Sequence, residues 1–135
     1  MNNKDMLLEA IINEDFYSTN DLLVELLENG KSKEYIEFLI NFIRDNPNIE
    51  YGMPGPVIHF IEKHSTEEYL EYLLNAINDK PNETLLWMLN RIVNDPNEPK
   101  KEIFVDVFNK TANRNDVSDS VKAMAKDFYN YQTGK

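Results

Sequence analysis

Two segments of the chain are near-copies of each other: residues 34–48 read EYIEFLINFIRDNPN and residues 68–82 read EYLEYLLNAINDKPN. They are identical at nine of fifteen positions, where average residue usage would give about one match. Within each copy, apolar residues fall at i, i+1, i+4 and i+5, as at Tyr35, Ile36 and Leu39. This spacing is typical of a helix that buries a broad apolar stripe.

Weaker copies of the same core lie on both sides of this pair. Residues 7–13 (LLEAIIN) and 103–109 (IFVDVFN) align with 35–41 (YIEFLIN) and 69–75 (YLEYLLN), so that four copies follow one another at spacings of 28, 34 and 34 residues. These spacings match the length of a two-helix hairpin, which buries its apolar face only by stacking on its neighbours. We therefore expect an all-α fold: a short right-handed α-solenoid of HEAT-like type, with about four helical hairpins in a single helical-repeat domain, residues 1–135.

Proline and polar residues predict where the helices begin and end. Pro47 and Pro81 would each break a helix interior, so helices should stop just before them. Ser32, Asn82 and Ser118 can each accept a hydrogen bond from an early N–H of the helix that follows. No stretch alternates with period two, so we expect no sheet. The eight predicted helices run about Lys4 to Asn13, Asn20 to Glu28, Lys33 to Asp45, Pro56 to His64, Glu67 to Asn78, Glu83 to Asn94, Lys100 to Asn113 and Asp119 to Tyr131.

Composition restricts the class of partner. The 135-residue chain has 24 acidic and 14 basic side chains, a net charge of -10, a pI of about 4.6 and no cysteine. Absence of cysteine excludes disulfides and thiolate chemistry. The charge repels phosphate backbones and anionic lipid, so we expect neither nucleic acid nor membrane as a partner, and a basic protein fits better. The lysines and tyrosines of residues 122–135 are too few to reverse this charge.

The start of the chain predicts its location. No apolar run approaches the roughly 18 residues of a membrane span, and the opening MNNKDMLLEA lacks the basic and then apolar blocks of a secretory signal. We therefore expect a soluble, cytoplasmic protein.

The motifs of common catalytic and metal sites are incomplete in this sequence. His59 and Glu62 have a metal-compatible spacing with His64 nearby, but no second motif exists to complete the ligand set. The stretch 52–55 (GMPG) lacks the lysine and the strand of a phosphate-binding loop. No GxSxG occurs, and two histidines leave little for a catalytic triad. We expect no enzyme activity, no metal and no cofactor.

The second helices of the hairpins offer a candidate binding surface. If they form one layer, their polar faces line up, and such a layer is commonly the concave binding face of a repeat protein. The helix that begins at Pro56 aligns with the helix around Trp87, and the loop 46–54 forms a rim. The candidate partner-binding residues are Glu25, Glu28, Tyr51, His59, Glu62, Lys63, Trp87, Asn90 and Arg91.

Several of these residues have a second interpretation. Trp87 lies within LLWML, so it is either a core residue or an interface anchor. His59 lies in an apolar run, so it is either packed and hydrogen-bonded or in contact with a partner. Arg91 and Lys63 either contact a partner or pair with Glu62 and other carboxylates on the surface.

Two short motifs resemble those of a known family. Residues 53–62 (MPGPVIHFIE) and 87–92 (WMLNRI) are similar to the PGP-[hydrophobic]-[hydrophobic]-H-x-[hydrophobic]-E and W-[ML]-L-N-R motifs of the all-helical immunity proteins found in bacterial polymorphic-toxin and contact-dependent inhibition systems. The resemblance covers about residues 51–95. The matching positions are Pro54, Gly55, Pro56, His59, Glu62, Trp87, Asn90 and Arg91.

The resemblance implies a non-enzymatic inhibitor that binds a cognate toxin domain. Toxins that cut nucleic acid tend to be basic, and an acidic protein would bind one quickly through electrostatic steering and cover its active site. The alternative function is a helical-repeat protein–protein interaction adaptor without a toxin partner. The resemblance leaves open whether the motif residues contact the toxin or hold the hairpins together.

Overall fold

The computed structural model describes residues 2–134, and this part of the chain forms eight α-helices and no β-strand. The prediction of an all-α protein is therefore confirmed. The helices are α1 (Asn3–Ile12), α2 (Phe16–Glu28), α3 (Lys33–Asp45), α4 (Gly55–Glu62), α5 (Thr66–Asp79), α6 (Glu83–Val93), α7 (Lys101–Ala112) and α8 (Asp119–Thr133).

The two strong copies of the repeat form α3 and α5. Both helices end just before a proline, as predicted for Pro47 and Pro81. In both, the apolar stripe faces the core: Leu39 and Leu73, its counterpart in the second copy, are both 0% exposed. The sequence repeat is therefore also a repeat of structure over these two helices.

Helix α2 begins earlier than predicted. We expected it to start at Asn20, and it starts at Phe16. In the structure Asp15 caps the helix, since its Oδ1 accepts a hydrogen bond from the backbone N–H of Ser18 at 3.1 Å. The hydroxyl of Thr19 is satisfied within the helix, where it donates to the carbonyl oxygen of Asp15 at 2.7 Å. Local capping and back-bonding therefore keep this polar turn helical.

Two predicted N-caps are confirmed. The Asn82 side chain accepts from the N–H of Leu85 at 2.9 Å, and the Ser118 hydroxyl accepts from the N–H of Val121 at 3.3 Å. The third candidate, Ser32, uses its hydroxyl in a 2.8 Å hydrogen bond to Nε2 of His64.

The chain divides into two compact units. The N-terminal unit holds the residues up to Phe42 together with Asn48–Tyr72, and within it α1 packs against α2 and α2 against α4. The C-terminal unit holds Ile43–Pro47 and the residues from Leu73 onward, and within it α6, α7 and α8 pack against one another. In each unit two predicted second helices are thus neighbours. The solenoid arrangement and the single domain stay predictions.

The C-terminal unit contains the same type of contact at both copies of the repeat. The carbonyl oxygen of Ile43, near the end of α3, accepts a hydrogen bond from the Asn82 side chain at 2.9 Å. The carbonyl of Ile77, the equivalent residue near the end of α5, accepts one from the Arg114 guanidinium at 3.3 Å. Because the last carbonyls of a helix have no partner within it, these side chains satisfy them.

A helix that crosses a bilayer must be both long and continuously apolar. Over residues 2–134, none of the helices meets both requirements.

Candidate partner-binding surface

Helix α2 presents carboxylates to solvent. It buries Leu23 and Leu26, while Glu25 and Glu28 are exposed. The i, i+3 spacing keeps both glutamates on one side of the helix. Both glutamates are therefore on the surface of the structure, as the sequence predicted.

Helix α4 packs beside α2 and carries three more candidates. It buries Val57, Ile58, Phe60 and Ile61, which leaves His59 exposed. Two candidates follow His59 along the chain: Glu62 is partly exposed, and Lys63, the C-cap residue, is exposed. The interpretation of His59 as a packed histidine is therefore wrong, because its neighbours on both sides supply the apolar stripe and His59 points away from it.

His64 is the packed histidine. Its Nε2 lies 2.8 Å from the Ser32 hydroxyl, and its Nδ1 lies 3.1 Å from the carbonyl oxygen of Phe60. Because a carbonyl only accepts, Nδ1 carries the proton. The ring also stands edge-on to that of Phe60, with centroids 5.4 Å apart. His64 thus satisfies a carbonyl near the end of α4 and connects it to the residue before α3.

Tyr51 is a core residue of the N-terminal unit. Its side chain is only 3% exposed, and burial raises the pKa of its phenol above the ordinary value of 10.0. The loop 46–54 was expected to form an exposed rim, and at Tyr51 it instead contributes to the apolar core. In this conformation the tyrosine offers almost no surface to a partner.

The three candidates in the C-terminal unit lie on α6. The Arg91 guanidinium lies over the ring of Trp87, with 4.9 Å between its carbon and the ring centroid. Trp87 is partly exposed and Arg91 is exposed. Trp87 is therefore neither a fully buried core residue nor a free surface anchor, since a cation covers part of its face.

Asn90 connects two helices of the C-terminal unit. Its Oδ1 accepts a hydrogen bond from Nε2 of Gln132 on α8 at 2.9 Å. The same amide of Gln132 donates to Oδ1 of Asn94 at 2.7 Å. Asn90 thus has a structural role, and nothing in the sequence pointed to Gln132, which lies far from it along the chain. The candidate residues are divided between the units: Glu25, Glu28, Tyr51, His59, Glu62 and Lys63 in the first, and Trp87, Asn90 and Arg91 in the second.

The negative charge is concentrated on the first two helices. From Asp5 to Gly30 the sequence has seven carboxylates and no lysine or arginine. The carboxylate of Asp15 also stabilises the start of α2, and hydrogen bonds from Ser18 lower its pKa below the ordinary value of 3.8. The pair α1 and α2 therefore forms a strongly acidic part of the N-terminal unit.

Neither a metal centre nor a known relative adds to this picture. Within residues 2–134, no group of three histidine, aspartate or glutamate side chains is placed so that it could hold a metal ion. No protein-family model matches the chain, and neither a curated protein nor a solved structure is significantly similar to it.

Proposed function

We propose that this protein is an immunity protein, which binds a cognate bacterial toxin domain of basic charge in the cytoplasm of the producing cell and neutralises it by covering its active site. The observation that carries the proposal is the acidic character of α1 and α2, with Glu25 and Glu28 exposed on the helix that packs against α4. The similarity of residues 53–62 and 87–92 to the immunity-protein motifs supports the same function.

Electrostatics favours a fast inhibitor. Complementary charge steers two proteins together and raises their association rate well above that of neutral surfaces. Glu25, Glu28 and the exposed His59 are held on regular helices whose opposite sides are buried, and the exposed Lys63 caps the end of α4. Because these side chains start from a fixed backbone, binding loses less conformational entropy than it would from a flexible loop. Occlusion requires no chemistry from the inhibitor itself.

The motif residues have different roles under this proposal. Pro56 lies in the first turn of α4, where a missing N–H costs nothing. Asn90 holds α6 to α8 through Gln132. His59 is exposed and is thus available for direct contact with the toxin. The motif would then combine residues that build the helices with residues that meet the partner.

The test is co-expression with the toxin domain encoded next to this gene. Wild-type protein should restore growth and bind the purified domain. The variant Glu25→Lys/Glu28→Lys/Glu62→Lys should associate about tenfold more slowly or worse, with a weaker dependence on salt.

A matched control variant distinguishes the effect of this surface on association from the effect of the total charge. Glu37→Lys/Glu71→Lys/Asp127→Lys changes exposed acids in the middle of α3, α5 and α8 and, like the first variant, shifts the net charge from -10 to -4 (three reversals of +2 each). It should slow association by much less. Equal slowing in both variants would refute the assignment of this surface. Failure of the wild type to rescue growth from any neighbouring toxin domain, together with binding to another protein, would favour the adaptor function instead.

A further inference from the structure

A second feature of the N-terminal unit is a set of exposed apolar side chains beside the turn between α1 and α2. We name it the turn patch, and its residues are Ile12, Phe16, Tyr17 and Met53. Tyr17 and Met53 are 79% and 84% exposed, and Ile12 and Phe16 are 56% and 40% exposed. Met6, Ile103 and Tyr131 are exposed as well, but the four residues of the turn patch lie on one turn and on the loop that contacts it, and grouped apolar side chains of this kind mark interaction sites.

Two side-chain contacts connect the α1–α2 turn with the loop before α4. The Glu14 carboxylate accepts a hydrogen bond from the backbone N–H of Glu50 at 2.7 Å, so the α1–α2 turn lies against the loop before α4. The Phe16 ring reaches this loop as well, because its Cε2 lies 3.4 Å from the position that a Cβ on Gly52 would take. Met53 follows Gly52 directly. The loop therefore contacts the α1–α2 turn on the N-terminal side of Met53, at Glu50 and Gly52, and Met53 is the next residue along the chain after the contact with Phe16.

The surroundings of the turn patch are acidic. Glu14, Asp15 and Glu50 are exposed within or next to it. The sequence has no lysine or arginine from Asp5 to Gly30 or from Asn48 to Glu62. A patch whose own segments combine exposed apolar residues with carboxylates and contain no lysine or arginine is complementary to a basic protein surface that presents an apolar side chain.

We propose that the turn patch is an anchor site for a basic protein surface with a protruding apolar side chain, separate from the surface around Glu28. Phe16 and Glu28 lie at opposite ends of α2, about 18 Å apart at the rise of an α-helix. The partner's apolar side chain would pack on Tyr17 and Met53, while its cations lie near Glu14 and Glu50. A second copy of this acidic chain is a poorer occupant, because like charges would face each other.

The inference is tested without any assumption about a toxin. The probes are two synthetic lysine-rich peptides of equal length and charge, one with a central leucine and the other with serine there. Titration into the isotope-labelled protein, followed by NMR, should give the largest amide shifts at residues 12–17 and 50–53 with the leucine peptide. That peptide should bind about tenfold more tightly than the serine peptide, and added salt should weaken both while the ratio persists.

Two variants test whether the turn patch causes the difference in affinity between the leucine and the serine peptide. Tyr17→Ala/Met53→Ser should remove most of the preference for leucine, and the stability of the fold should not change because both side chains are mostly exposed. The matched control is Ile103→Ser/Tyr131→Ala, which removes side chains that are 62% and 74% exposed in the C-terminal unit, and it should keep the preference. Equal affinity of the two peptides, shifts spread evenly over the acidic helices, or wild-type self-association that Met53→Ser abolishes would each overturn the proposal.

Discussion

Replacement of Asn82 by alanine should destabilise the protein far more than other asparagine substitutions. The Asn82 side chain is buried, at 6% residue exposure, and makes two hydrogen bonds of 2.9 Å. Its oxygen accepts from the N–H of Leu85, and its amide donates to the carbonyl of Ile43. Asn82→Ala leaves a buried N–H without its acceptor, which costs about 1–3 kcal/mol, and removes a second bond worth about 1 kcal/mol. The expected loss is about 2–4 kcal/mol of unfolding free energy.

The assay is urea denaturation followed by helix circular dichroism. The midpoint should fall while the slope stays constant, because the surface exposed on unfolding does not change. Asn48→Ala is the matched control: Asn48 occupies the same position in the first copy of the repeat but is exposed, so its loss should stay within about 0.5 kcal/mol. Asn2→Ala removes an exposed N-cap of α1 and should cost about 1 kcal/mol.

Asn82→Asp separates the two bonds. The introduced carboxylate keeps the acceptor for Leu85 but faces the Ile43 carbonyl without a proton to donate. This variant should be unstable at neutral pH. Its stability should increase as the pH falls through the pKa of the introduced carboxyl, because the protonated form donates again and the folded state therefore raises that pKa. A loss below about 1 kcal/mol for Asn82→Ala, or an equal loss for Asn48→Ala, would refute the reasoning.

Two further predictions concern a loop and an ion pair. Gly52→Ala should lower the unfolding free energy by about 3 kcal/mol, because φ is +102° and the added Cβ would lie 2.5 Å from Cα of Gly55. Gly30→Ala, where φ is also positive but the space is open, should lower it by about 1 kcal/mol. Equal urea midpoints for the two variants would contradict this prediction. The Arg114 guanidinium lowers the pKa of Asp116 to about 2, so the stability from this pair is complete above about pH 4 and is lost as the pH falls through about 2. Arg114→Gln should return that pKa toward 3.8, which an NMR titration of the carboxyl carbons measures, and an unchanged pKa would exclude the ion pair as its cause.

The helices were predictable where several local signals agreed. Over α3 and α5 the apolar spacing, the proline stops and the repeat all indicate the same boundaries. At the start of α2 they conflict, because Ser18 and Thr19 favour a loop by composition while Asp15 in front of them is a good cap. The structure resolves the conflict through hydrogen bonds from Ser18 and Thr19 back to Asp15. Composition alone does not show which of these local bonds forms.

The candidate surface was predictable only where exposure follows from helix spacing. Glu25 and Glu28 are exposed because the apolar residues of α2 lie on its other side. For His59 the sequence left two interpretations open, packed or in contact with a partner, because apolar residues flank it, although a single position of a helix can face outward between them. Tyr51 lies in a loop between α3 and α4, and it is buried all the same. The burial of a loop residue leaves no periodic hydrophobic pattern in the sequence.

The side-chain hydrogen bonds to carbonyls near the ends of α3 and α5 show what a sequence repeat specifies. The acceptors, the carbonyls of Ile43 and Ile77, are equivalent because both helices stop at the same place and leave these carbonyls without a partner inside the helix; the Ile43 oxygen also accepts from the backbone N–H of Asn46 at 3.3 Å. The donors are not equivalent: Asn82 serves the first, and Arg114, just before the position that matches Asn82, serves the second. A short amide suffices in one case and a long guanidinium in the other, since an unpaired carbonyl requires only a donor within reach. Repetition therefore fixes the groups that must be satisfied, while the residues that satisfy them are free to change from copy to copy.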